Sequence, residues 1–293
     1  MCPICKGNEH SFVGIPKVNS KYSEAIRHEY KIVQCNNCET YYVDPEIDLS
    51  NKEWQVLYNE EYFPQMSNWY AKNRAKDRIG RFNNLNIYVH EGEKKFLDVG
   101  CGEGHCLIEA IRKGWRAHGV DISDNRIPKA RDNSIKFYQS NLIDCHFPDN
   151  FFHIIYMDSV LEHVLNPLEY LLEIKRIMTK DGVVYIGIPN EDSLLNDIRK
   201  IFYSLKASDI SPKLKPFETP YHVVGFNESS IQFILKSAQL EIKQIRNFAC
   251  RLEFLRAKPF SKTFFQSLLL LPIYLLAVPM RKEVYLEVYA QNN

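Results

Sequence analysis

From about residue 94 onward, short apolar runs alternate with amphipathic stretches. Phe96-Leu97-Asp98-Val99, Ala117-His118-Gly119-Val120-Asp121, Ile135-Lys136-Phe137-Tyr138, Phe151 to Met157 and Val183 to Ile188 read as strands. Leu107 to Lys113 and Leu168 to Met178 carry helical spacing. Strands that recur between helices pair in parallel, with helices covering both faces of the sheet. Residues 191–221 break the rhythm and read as an inserted helix and loop. Glu228 to Ala238 resumes helical spacing, and Leu240 to Ile245 and Glu283 to Ala290 read as the last two strands. Upstream the texture differs. Residues 1–48 are polar and rich in Cys, Asn and Tyr, as short strands and turns are. Residues 49–92 carry helical periodicity with many aromatics: Trp54, Leu57, Tyr58, Tyr62, Phe63, Trp69, Tyr70. The pattern predicts a small module over 1–48, a helical lid or linker over 49–92, and an α/β domain over 93–293 with insertions at 191–221 and 250–281.

Composition changes this picture little. Lys plus Arg number 37 against 36 Asp plus Glu, a net charge of +1. That balance argues against a nucleic-acid binder. Met1-Cys2-Pro3 opens no basic and apolar leader, so a cytosolic chain is expected. Structural disulfides are rare there, so the cysteines need another reading. Cys2-Pro3-Ile4-Cys5 and Cys35-Asn36-Asn37-Cys38 are two C-x-x-C knuckles, and two such pairs can set four thiolates around one Zn²⁺. A closed set of four sulfurs is structural rather than catalytic. The module over 1–48 is therefore expected to be a zinc ribbon, with Cys2, Cys5, Cys35 and Cys38 as its ligands.

The segment richest in chemistry is Asp98-Val99-Gly100-Cys101-Gly102-Glu103-Gly104, which runs from a buried strand into a helix. Glycines at a strand end let the backbone turn sharply and approach a ligand, and the next helix offers unpaired N–H groups. A dinucleotide fingerprint would need its third glycine one residue later, where His105 stands. Asp98 would repel a pyrophosphate and suits a cationic amino-acid moiety. This loop resembles motif I of class I S-adenosylmethionine (SAM)-dependent methyltransferases. Asp121 matches that family's acidic residue for the ribose hydroxyls, followed by Ile122. Asn141-Leu142 matches its adenine contact, with Asn in place of the usual Asp. Phe147-Pro148-Asp149-Asn150-Phe151-Phe152 resembles the family's turn into strand four, with His153 replacing the usual Asp. Asp158-Ser159-Val160-Leu161-Glu162-His163-Val164 resembles its segment after strand four, and Ile188-Pro189-Asn190 its segment after strand five. The resemblance covers roughly residues 94–245. It implies a Rossmann-like, seven-stranded sheet with helices on both faces, SAM as cofactor, and a cofactor set of Asp98, Gly100, Gly102, Gly104, Asp121, Ile122, Asn141, Leu142 and Asp158.

Tyr30 to Cys35 and Tyr41 to Pro45 are similar to the zinc-binding leader of a subset of bacterial SAM methyltransferases associated with sugar, polysaccharide and secondary-metabolite pathways. That likeness implies a small or lipid-linked saccharide acceptor. Acceptor-side candidates are Asp158, Glu162, His163, Asn190 and His222, the last in Pro220-Tyr221-His222, similar to a P-x-H segment of the family. Among them Glu162, His163 and His222 are the expected catalytic group. Small-RNA and ubiquinone-pathway O-methyltransferases carry E-x-x-E-H and a later His on a divalent metal; here Ser159 replaces the first Glu. Tyr62, Tyr70 and Arg74 are lid candidates, Arg74 for the SAM carboxylate. A non-catalytic SAM-binding regulatory module and an RNA methyltransferase remain as alternative functions. The apolar stretch from Phe264 to Met280, interrupted by Pro272 and Pro279 and flanked by Arg251, Arg256, Lys258, Lys262, Arg281 and Lys282, is short for a membrane span. It suits a lid or core helix, a peripheral contact with the inner face of an anionic membrane, or an interface.

Overall fold

The computed structural model describes residues 1–18, 29–49, 53–54, 68–90, 92–218, 221–249 and 257–292. Leu57, Tyr58, Tyr62, Phe63, Arg251 and Arg256 lie outside the described residues, as do the side chains of Trp69, Tyr70 and Arg74. The main sheet has seven strands: β4 (Lys95–Val99), β5 (Arg116–Asp121), β6 (Lys136–Gln139), β7 (Phe152–Asp158), β8 (Met178–Pro189), β10 (Leu240–Phe248) and β11 (Tyr285–Asn292). Their order is β10-β11-β8-β7-β4-β5-β6. β4 pairs in parallel with β5 and β7, as do β5 with β6 and β7 with β8, while β11 runs antiparallel between β8 and β10. This is the expected Rossmann-like, class I methyltransferase sheet. The helices are α1 (Asn68–Ile87), α2 (His105–Arg112), α3 (Pro167–Ile177), α4 (Leu194–Leu205), α5 (Glu228–Ser237) and α6 (Lys262–Ala277).

The two sheet faces have separate cores. On one, α1 and α2 cover Phe96, Ile154, Tyr156, Tyr185 and Tyr289; Phe82 and Leu85 of α1 are fully buried there. Phe82 stacks on Trp115 at 5.4 Å between ring centres. Burying each such side chain is worth about 1.5–3 kcal/mol, so the end of the span read as a lid or linker is a core helix. The other face, with α3 and α5, packs Leu97, Ile155, Ile186 and Val288 against Leu171, Ile174, Ile231 and Ile234. The spans expected as insertions, 191–221 and 250–281, hold α4 and α6. The apolar stretch forms one helix with Pro272 inside it rather than two pieces. Pro272 removes the bond to the carbonyl four residues back and crowds that carbonyl with its ring, yet the helix continues to Ala277.

A second, antiparallel sheet holds β1 (His10–Gly14), β2 (Lys31–Cys35) and β3 (Tyr41–Asp44). Its fourth strand, β9 (Val224–Gly225), comes from the α/β domain, and Ile32, Val33 and Tyr42 share one continuous core with Val224, Phe226 and Leu97. Asp192 locks the junction. It accepts from Tyr41 Oη (2.6 Å), Lys213 Nζ (3.0 Å) and Asn227 Nδ2 (2.7 Å). The Lys213 ammonium also lies 4.0 Å from the centre of the Tyr41 ring.

His118, on β5, is 3% exposed, and its Nδ1 is buried without a partner. Rings of Tyr138, Phe151 and Phe152 surround it at 5.2–6.2 Å. Burial, then Lys136, Lys95 and Arg116, push its pKa down to about 4. An imidazole depressed in the fold binds its proton more readily when unfolded. The stability it contributes is full above its ordinary value of about 6.5 and is lost as pH falls toward 4. We predict that His118→Phe, which the aromatic cage accommodates, removes up to about 3 kcal/mol of that acid-linked loss. Urea midpoints measured from pH 7 to pH 4 check this; equal pH slopes in variant and wild type would refute it.

Candidate active site and metal centre

The parallel strands end on one side of the sheet, and the site is assembled from the loops that leave their carboxyl ends. After β4 the chain turns through Gly100, Gly102 and Gly104, with φ of 69°, 47° and 76°. A Cβ at Gly100 would lie 2.5 Å from Val160 Cγ2, and one at Gly104 2.5 Å from Ala130 Cβ. The turn is therefore closed to any side chain at either position. Gly100 N and Cys101 N donate to the Val120 carbonyl at 2.8 and 3.1 Å, tying the loop to β5. Asp121, at the end of β5, accepts from Gly102 N (2.9 Å) and from Ser123 N (3.1 Å). Burial raises its pKa, against the pull of the backbone N–H groups of Gly102, Ser123 and Ile122. Each of its oxygens keeps a second lone pair for a ligand hydroxyl. Asp98, 4% exposed, is raised well above the ordinary carboxylate range by burial, with Arg78 opposing. Two acidic side chains around a glycine turn are unfavourable for a pyrophosphate. Ile122 is half-buried beside Asp121 and Leu142 is buried. The Asn141 amide turns onto Asp144, accepting from its N at 3.1 Å and donating to its carboxylate.

Asp158 ends β7 in a cluster that sequence reasoning did not find. Its carboxylate accepts from Arg81 Nη1 (2.8 Å), Tyr156 Oη (3.2 Å) and Tyr285 Oη (2.6 Å). Arg81 Nε donates to Glu287 at 2.7 Å, and the guanidinium faces the Tyr185 ring at 5.3 Å. Burial opposes the cation, yet Asp158, Tyr156, Tyr185 and Glu287 together raise its pKa. The legible signal was Glu287: a lone carboxylate inside an apolar strand run needs a cation. Gly187 is the close neighbour that lets this happen, because a Cβ there would collide with the Asp158 carboxylate.

On the acceptor side, Glu162 and His163 form a single 3-10 turn after β7, and His222 precedes β9. Glu162 is 1% exposed, and both its carboxylate oxygens are buried without a hydrogen-bond partner. His222 Nε2 lies 3.8 Å from Glu162 Oε1, and the His163 and His222 rings meet edge-on at 4.9 Å. Val223 N donates to the Glu162 carbonyl at 2.9 Å, which fixes the His222 backbone against the turn. Burial raises Glu162 well above its ordinary value. It lowers His163 to about 4, against a hydrogen bond with the Tyr221 backbone, and lowers His222 well below 6.5. One ligand atom from each of the three lies within 4.8 Å of the others. Asn190 is occupied structurally: its Nδ2 donates to the Glu283 carbonyl at 2.8 Å.

The four knuckle cysteines also converge, with all Sγ atoms within 4.8 Å of one another. Cys2 and Cys38 are 3.5 Å apart, Cys5 and Cys35 3.4 Å. A tetrahedral tetrathiolate with bonds of about 2.3 Å sets its sulfurs about 3.8 Å apart, so the cluster has nearly that size. The two knuckles are built alike. Lys6 N donates to Cys2 O and Glu39 N to Cys35 O, and Lys6 and Glu39 both take positive φ.

Such a sheet and loop define a SAM-dependent methyltransferase. A family model described as a methyltransferase domain matches residues 58–245, and the chain belongs to that family. An uncharacterised protein of Methanocaldococcus jannaschii is 32% identical over 181 residues, 61% of this chain and 77% of its own. Demethylmenaquinone methyltransferase of Geobacillus stearothermophilus is 30% identical over 138 residues, 44% of this chain and 56% of its own. The chain thus spans about half the length of several relatives that it matches. The fold is also similar to that of 1,6-didemethyltoxoflavin-N1-methyltransferase of Burkholderia thailandensis. The TM-score is 0.54 and the identity 12%, over 92% of this chain and 97% of the other.

The Arg81 cluster yields a prediction. Arg81→Leu leaves the buried Glu287 and the partly exposed Asp158 without their cation and should cost about 3 kcal/mol of unfolding free energy. Arg81→Lys keeps the charge but not the two-sided fork and should lose less. Urea denaturation measures both; an Arg81→Leu variant as stable as the wild type would overturn this account of the cluster.

Proposed function

We propose that the chain methylates a hydroxyl group of a small or lipid-linked acceptor, a sugar or a related metabolite. The observation that carries this reading is the convergence, past the carboxyl ends of β4, β5 and β7, of a glycine turn pinned by Asp121 and the group of buried Glu162 with half-buried His163 and His222. When bound, SAM supplies an electrophilic methyl on a sulfonium. Gly100, Gly102 and Gly104 would give its methionine part a backbone surface, with Asp98 toward the ammonium. Asp121 would take the ribose hydroxyls, and Ile122, Asn141 and Leu142 the adenine, with Asp158 at the rim beside the loop. In-line methyl transfer chiefly needs the acceptor oxygen aligned. The neutral His222 imidazole would accept a hydrogen bond from the acceptor hydroxyl as its proton leaves. Its depressed pKa makes it a weak base, so alignment by His222, His163 and Glu162 carries most of the effect. Support for a small acceptor comes from the demethylmenaquinone methyltransferase relative and from the Burkholderia enzyme, whose structure holds 1,6-didemethyltoxoflavin and S-adenosylhomocysteine.

The cofactor reading is tested by calorimetry with S-adenosylhomocysteine. Asp121→Ala removes a charged acceptor worth about 1.5–3 kcal/mol per bond and should weaken binding roughly 10- to 100-fold. Undiminished affinity would remove Asp121 from the cofactor site.

For the metals, we propose one structural Zn²⁺ on Cys2, Cys5, Cys35 and Cys38. The partnerless Glu162 carboxylate favours a second reading, in which Glu162, His163 and His222 hold a divalent ion that takes the acceptor oxygen. Metal analysis of purified protein separates the two. Close to one zinc per chain, lost in Cys35→Ser, is the expected result; a second equivalent lost in His222→Ala would establish the second reading. Zinc-free protein that keeps the knuckle fold would overturn the first.

A further inference from the structure

We propose that α4 and α6 form a platform that lays the acceptor end of the enzyme on an anionic membrane surface. It concerns where the proposed acceptor is met and rests on the methyltransferase reading for its purpose only; the surface itself is read without it.

An amphipathic helix in a folded domain turns its apolar stripe inward. On α4 the apolar positions recur at Ile198, Ile201, Phe202 and Leu205, which is helical spacing. Yet the helix buries none of its residues; Ile201 is 60% exposed and Leu205 80%. Along α6 the usual arrangement is inverted. The two residues it buries, Ser267 and Ala277, are its smallest, while Leu269 and Leu276 are 78% and 61% exposed. The two helices pack together. Of the 19 large hydrophobic side chains exposed among the described residues, 11 fall within residues 194–205 and 260–280. Exposed apolar surface this concentrated marks a contact with a partner or a membrane.

Charge decides the occupant. Residues 194–206 and 258–282 carry seven Lys or Arg and a single acid, Asp197, in a chain otherwise balanced at 37 to 36. Lys282 pairs with Asp197 at 2.7 Å and Arg281 with Glu228 at 2.6 Å. Arg199, Lys200, Lys206, Lys258 and Lys262 are exposed and have no ion pair among the described residues. A second copy docking face to face would oppose these cations to themselves, an unfavourable pairing. Anionic headgroups complement them while acyl chains take the leucines. Neither helix can cross: α4 has 12 residues and α6 16, about 18 and 24 Å against a hydrocarbon core of about 30 Å. No helix among the described residues is long and apolar enough to span.

The platform also sits at the functional end of the sheet. α4 comes after the carboxyl end of β8, and α6 leads into β11. Leu194 N donates to the Lys282 carbonyl, and Asn190 N to the Val284 carbonyl, both at 2.9 Å. Tyr285, next in β11, bonds Asp158 at the end of β7. A docked platform would hold the acceptor side close to the headgroups.

Co-sedimentation with vesicles of phosphatidylcholine, alone or doped with phosphatidylglycerol, tests the proposal. The full chain should bind the anionic vesicles at low salt, release at high salt, and ignore phosphatidylcholine alone. Phe202→Ser, Leu205→Ser and Leu269→Ser together should cut binding more than about tenfold, because each removes apolar contact with the acyl boundary. As these side chains are exposed, the fold and S-adenosylhomocysteine affinity should persist. Lys200→Glu with Lys206→Glu should weaken anionic binding without touching the leucines. Sedimentation velocity is run alongside. Indifference to vesicles, or a wild-type dimer that the triple variant dissociates, overturns the proposal. Vesicle binding without S-adenosylhomocysteine affinity would instead overturn the cofactor reading and leave the platform standing.

Discussion

A buried guanidinium fixes more of this molecule than any other single group. Arg81 sits between Asp158 at the end of β7 and Glu287 in β11, with Tyr185 against its face. Glu287 is 3% exposed, and its charge is not tolerable alone at that depth: removing a partner from a buried pair costs several kcal/mol. Helix α1, the central strand β7 and the antiparallel strand β11 are therefore mutually dependent. The arginine holds α1 across the sheet, with Phe82 and Leu85 in the core. Asp158, saturated by Arg81, Tyr156 and Tyr285, becomes a rigid post beside the loop. Gly187 has no alternative there, because any side chain would occupy the carboxylate's volume.

The same economy of position joins the cysteine module to the acceptor side. Its sheet is completed by β9, two residues after His222, and Val223 N reaches back to the Glu162 carbonyl. The strand that closes the small sheet is thus the one that aims His222 at Glu162. Asp192 adds a second tie, since one carboxylate serves Tyr41 from the module and Lys213 and Asn227 from the domain. A tetrathiolate would stabilise the knuckles that carry β2 and β3, and through β9 it would stiffen the histidine. A metal far from the chemistry would then act on it through backbone alone.

The sheet was legible because apolar runs such as Phe96 to Val99 and Val183 to Ile188 mark its central strands, and the turn because three glycines follow one of them. The features that could not be read lie where partners are distant in sequence. Arg81 and Glu287 are 206 residues apart, and only the oddity of a carboxylate in an apolar strand hinted at the pair. β9 is two residues long and pairs with a strand some 180 residues earlier, so no local pattern could announce it. Conversely, the apolar run at 264–280 announced a helix truthfully but not its orientation. Hydropathy reports how much apolar surface a segment has, not which way it faces; Pro272 did not divide it, and the helix ends at Ala277, before Pro279.

Glu162 shows why the acceptor side is poised rather than finished. A carboxylate with both oxygens dry and no donor cannot stay charged at that depth: it must hold its proton or gain a cation. The charges nearest it, Asp158 and Glu191, are of like sign and oppose its ionisation. The two imidazoles beside it are themselves driven neutral by burial, and neutral imidazoles present lone pairs as readily as N–H groups. The three side chains can therefore accept one proton, one hydroxyl hydrogen or one divalent ion, but cannot satisfy one another: the 3.8 Å separation of His222 and Glu162 is too long for a hydrogen bond. A fold that keeps such a group dry, holding it with the backbone bond of Val223 and the edge contact of two rings, stores an unmet demand at the point where an acceptor oxygen would arrive. On the proposed reading, a bound acceptor hydroxyl would meet that demand and be oriented by it.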